Sequence, residues 1–102
     1  MADSAVFESV SGQLERETEL DRIEARGTLR IALKAAGLRA KDLTAKEAIA
    51  VLEHVLPVEL ERRGVDASEA VCERIRRELA RSGVDRESEA ETPQSVFERL
   101  GG

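Results

Sequence analysis

The stretch "LDRIEARGTLRIALKAAG", Leu20 to Gly37, decides how this chain folds. Leu20, Ile23, Gly27 and Ile31 recur at helical spacing as one apolar row. Ala25, Leu29, Leu33 and Ala36 form a second row on nearly the opposite side. A helix with two apolar rows touches neighbours on both, so the pattern predicts a central helix in an all-α bundle. Thr18, with Asp21 three residues on, predicts its start, and Gly37 supplies a left-handed stop. Gly27 costs up to about 1 kcal/mol relative to Ala inside a helix. Either a neighbouring helix crosses closely there or the helix breaks and restarts at Thr28; the close crossing is the favoured reading, and at it Gly27→Leu would overpack.

Outward from this segment the same periodicity recurs. Before it, Ser4 to about Arg16 places Val6, Val10 and Leu14 at four-residue spacing with Phe7 beside them. After it, Thr44 and Glu47 form a capping box, and Ile49, Leu52, Leu56 and Leu60 continue the row. Pro57 removes a backbone donor inside that pattern, so the helix kinks near His54 to Val58 or restarts with Pro57 in its first turn. Gly64 ends it after Arg62 and Arg63. A fourth helix is expected from Asp66, boxed with Glu69, through Val71, Ile75 and Leu79 to Ser82. The expectation is a small bundle of about four helices over residues 1–83. Residues 84–102 then read as an acidic flexible linker, "VDRESEAETP", followed by a short amphipathic motif, "QSVFERLGG".

Composition narrows the partners. In a chain of 102 residues, 41% hydrophobic, the only rings are Phe7 and Phe97, so the core must be aliphatic. The net charge of -5 opposes non-specific attraction to phosphate backbones or anionic lipid. No apolar run approaches the roughly 18 residues of a membrane span, and the N-terminus lacks the basic and apolar regions of a signal peptide. A soluble, cytoplasmic protein is expected. A single cysteine, Cys72, forms no internal disulfide and falls short of a two-Cys zinc motif.

"GTLRIALKAAG" followed by "LTAKEAIAVLEHVLPVELERRG" resembles the pattern of an uncharacterised family of small bacterial helical domains of unknown function. There an Ala-Leu-Arg helix precedes a Glu-Ala helix ending in a Leu-Pro step. The residues that match are Leu29, Arg30 and Leu33, then Leu43, Glu47, Ala48, Leu52, Leu56, Pro57, Glu59 and Leu60. The resemblance covers under half of the chain. It implies a bacterial all-helical fold and brings no activity, cofactor or catalytic residue with it.

Candidate chemistry is sparse. His54 has only Glu47 and Glu53 near it in sequence, without the second imidazole or thiolate that a helical metal site recruits. Cys72 stands beside the apolar row of Val71, Ile75 and Leu79 and reads as a small hydrophobe. No phosphate loop, nucleophile elbow or nucleotide fingerprint occurs. Neither an enzyme nor a cofactor is expected.

Two features point to binding. Arg22, Arg26, Arg30 and Lys34 form a four-residue ladder along one helix face, the sharpest electrostatic feature of the chain. Glu15, Glu19 and Glu24 are the expected neutralisers, and no ring is interleaved for base stacking. The second feature is a repeated phrase, "AVFESVSG" at Ala5–Gly12 and "SVFERLGG" at Ser95–Gly102, identical at four of eight positions. Val96, Phe97 and Leu100 lie on one side of a single helical turn, the form of a peptide that anchors in a hydrophobic groove. The first copy is expected to dock on its own domain. These features predict a protein–protein interaction module, an adaptor, assembly factor or regulator, with a protein partner or a second copy in a homodimer. The alternative is a nucleic-acid-binding regulator working through the Arg22–Lys34 face.

Overall fold

The structure is a computed structural model that describes residues 3–82. The acidic linker and the motif carrying Val96, Phe97 and Leu100 lie outside the described residues. Five α-helices follow one another: α1 Ala5–Glu17, α2 Arg22–Ala35, α3 Ala45–His54, α4 Leu56–Arg62 and α5 Ser68–Ser82. A 3-10 turn at Ala40–Asp42 joins α2 to α3, and no strand occurs among the described residues. The all-α class holds; the extra helix arises at Pro57. There α3 closes at His54 and α4 restarts with Pro57 in its first turn, so the missing donor falls where no partner was needed.

Helix boundaries follow local chemistry. The Ser4 hydroxyl caps α1 by accepting from the Phe7 N–H at 3.1 Å. Thr44 and Glu47 form the expected box at α3. Gly37 and Gly64 take φ of 75° and 80°, the left-handed stops read from the sequence. Two starts differ. Asp21, boxed with Glu24, caps α2, while Thr18 closes α1 by donating its hydroxyl to the Leu14 carbonyl at 2.6 Å. Asp66 does not cap α5; Ala67 intervenes at φ 53°, and its carbonyl accepts from the Val71 N–H at 3.0 Å.

The core is one aliphatic cluster around a single ring. Phe7, Val10 and Leu14 of α1 meet Leu29 and Leu33 of α2, Val51 and Leu52 of α3, Leu56 and Leu60 of α4, and Ile75 and Leu79 of α5, all buried. Phe7 is completely buried, so the first copy of the repeated phrase is core. The expected central position of α2 is not found: α1, α3, α4 and α5 each pack on three other helices, whereas the main neighbours of α2 are α1 and α4 alone.

The two-faced reading of α2 is overturned. Ala25, Thr28, Leu29, Ala32 and Leu33 form its one buried face. The opposite row is in solvent: Ile23 is 82% exposed, Ile31 46% exposed, and a Cβ built on Gly27 would meet nothing within 4 Å. None of the described helices crosses at Gly27, so the overpacking expected of Gly27→Leu has no physical basis among them.

Candidate functional site

The outer face of α2 carries both the basic ladder and the unpartnered apolar row. The ladder does not act as four free cations. Arg26 donates from Nη1 to Glu8 Oε1 at 2.7 Å and from Nη2 to Asp3 Oδ2 at 2.9 Å. Arg30 donates from Nη2 to the same Asp3 oxygen at 2.6 Å. The hydrogen bond from Arg26 holds the Glu8 carboxyl below its ordinary range. The neutralising carboxylates are thus Asp3 and Glu8 of the α1 end, brought across by the antiparallel α1–α2 hairpin. Glu15, Glu19 and Glu24 do not fill that role, and Glu24 is spent on the cap of α2.

A ring does lie under the ladder. The Arg26 and Arg30 guanidinium carbons stand 5.2 Å and 4.8 Å from the Phe7 centroid. Such cation–π contacts contribute about 0.5–1 kcal/mol each at exposed sites. They make the middle of the ladder a lid over the core. Arg22 and Lys34, at its two ends, form no ion pair among the described residues and are the charges left for a partner.

Between those cations runs the row of Ile23, Gly27 and Ile31. Successive members are one turn apart, about 6 Å along the axis. Gly27 leaves a shallow notch between two branched side chains. A notch of this form takes an apolar side chain from another segment, in the manner of a knob entering a hole. Val58 of α4, 52% exposed, is the other large apolar group in solvent among the described residues.

The remaining candidates do not assemble chemistry. His54 is exposed, with Glu53 at 3.8 Å as its recorded charge partner. No group of three ligating side chains that could hold a metal occurs among the described residues. Cys72 is buried, and burial first, then Glu69, pushes its thiol up to about 12. Arg74 and Arg76, which could have lowered it, are turned to Glu17 at 2.7 Å and Glu73 at 2.6 Å. A second arginine-rich region lies between α1 and α5, but Arg74, Arg77 and Arg81 are paired with Glu17, Glu73 and Glu78. No described helix is long and apolar enough to cross a membrane.

Sequence reasoning singled out Arg22, Arg26, Arg30 and Lys34 as one surface, and the structure does place them along one helix. It missed Asp3, Glu8 and Phe7 as their partners, since 18 to 27 residues separate the pairs. Neither a protein family, nor a curated protein, nor a solved structure matches the chain.

Proposed function

We propose that the chain is a small protein–protein interaction module whose working surface is the outer face of α2. The observation that carries this reading is the pairing of an exposed apolar row, Ile23, Gly27 and Ile31, with Arg22 and Lys34, cations that form no ion pair among the described residues. An isoleucine 82% exposed contributes little to folding, and its burial against a partner is worth about 2 kcal/mol. The surface suits an amphipathic segment with acidic flanks, from another protein or from a second copy of the chain. Binding fits the chemistry better than catalysis, because the thiol is sealed and the imidazole stands in solvent beside Glu53, away from that thiol in sequence and on another helix.

The nucleic-acid alternative gains no support from the ladder's geometry. Its two inner cations are matched by Asp3 and Glu8, and Arg22 and Lys34 stand about 18 Å apart along the axis. The test is quantitative co-purification with the double variant Ile23→Glu/Ile31→Glu. Both positions face solvent, so the helical circular dichroism should be unchanged. Proteins retained by the parent chain should be reduced tenfold or more. Identical retention by parent and variant would overturn the proposal.

A further inference from the structure

We infer that the α2 face is also the seat of the chain's own C-terminal segment, with Phe97 entering the notch at Gly27 and the preceding carboxylates meeting the ladder. This rests on the reading of that face as an interaction surface and names one occupant for it. Three observations converge on that occupant.

The first is chemical complementarity. Between Gly83 and Gln94 the sequence holds Asp85, Glu87, Glu89 and Glu91 against the single cation Arg86. The α2 face opposes these with Arg22 and Lys34, neither of which is ion-paired among the described residues. An acidic stretch leading into Val96, Phe97 and Leu100 therefore presents, in order, carboxylates that match these cations and apolar groups that match the exposed row of Ile23 and Ile31.

The second is the notch. A glycine without a crossing neighbour costs α2 up to about 1 kcal/mol and returns nothing to the core. It leaves room between Ile23 and Ile31 that a side chain would close, and Phe97 is the chain's second ring beside the core residue Phe7.

The third is reach. Phe97 lies fifteen positions beyond Ser82, about 50 Å of extended chain. Both α5 and α2 pack on α1. The outer face of α2 is therefore two helix spacings from α5, about 25 Å with the side chains included. A segment tethered on that scale sees the face at an effective concentration towards the millimolar range, so a weak contact suffices. An external partner would then compete with the chain's own segment for one notch.

A nitroxide attached at Ser95→Cys in the full chain tests this, because the buried Cys72 thiol is left unmodified. The amide signals of Ile23, Gly27 and Ile31 should lose at least half their intensity, while those on the far side of the bundle keep theirs. Mixing spin-labelled chain with isotope-labelled, label-free chain should leave those signals at full height. Gly27→Leu, which fills the notch on the solvent side, and Phe97→Ala should each restore the intensity, with the remaining spectrum unaltered. Undiminished α2 signals, or loss centred elsewhere, would overturn the inference. So would equal loss in the mixed sample, which would make the occupant a second copy. Retention of a partner by the parent but not by Ile23→Glu/Ile31→Glu would leave the interaction surface standing in any of those cases.

Discussion

Ala67 sits at φ 53°, exposed, at the N-terminal edge of α5. An L-residue there carries about 1–2 kcal/mol of steric cost that glycine does not. Ala67→Gly should therefore raise stability in urea by about 0.5–1 kcal/mol, despite the entropy that a new glycine adds to the unfolded chain. At Gly27 the reasoning runs the other way. The backbone is helical and the space is open, so Gly27→Ala should stabilise by up to about 1 kcal/mol. A loss at that position would show a helix crossing after all. Phe7 is fully buried beneath two guanidinium groups, and Phe7→Ala should cost about 3–5 kcal/mol in the same measurement.

Element by element, the helix caps separate what was legible from what was not. Thr44 with Glu47 could be read outright because a box needs only local spacing, and Thr44→Ala should cost about 1 kcal/mol. Thr18 and Asp66 satisfied the same spacing but cap neither α2 nor α5 at the start, since Asp21 and Ala67 hold those places and Thr18 closes α1 instead. Asp66→Ala should stay within about 0.5 kcal/mol. The faces of α2 carry a further lesson. A four-residue step advances about 40° around a helix, so the ladder drifts until Lys34 lies between Ile23 and Gly27 in angle. By the same arithmetic Arg22 lies between Leu29 and Leu33, so the ladder borders both apolar rows and does not by itself tell which of them is buried. On α5, hydrogen bonds from Arg76 and then Arg77 lower the Glu73 carboxyl to about 2 from its ordinary 4.5. A depressed carboxylate stabilises the folded chain above its unfolded value and loses that contribution as pH falls through the folded one. The urea midpoint should thus fall between pH 4.5 and about 2, and Glu73→Gln should flatten that part of the profile.

At the scale of the whole molecule, the bundle divides its labour between two sides of one helix pair. The α1–α2 hairpin puts Phe7 and Leu29 inside and closes them with Arg26 and Arg30, which Asp3 and Glu8 hold in place. What that arrangement leaves outside is the row from Ile23 to Ile31 with a cation at either end. The all-α class and the aliphatic core follow from periodicity, whereas the pairing of ladder and carboxylates depends on hairpin register that no local spacing encodes. The central claim is that this outer face contacts protein. A photoreactive benzophenone side chain in place of Ile23, irradiated in the producing cells, tests it most directly against the same group in place of exposed Ala50 of α3. The account predicts a discrete adduct of higher mass from position 23 and none from position 50. No such adduct, or the same adducts from both positions, would contradict it.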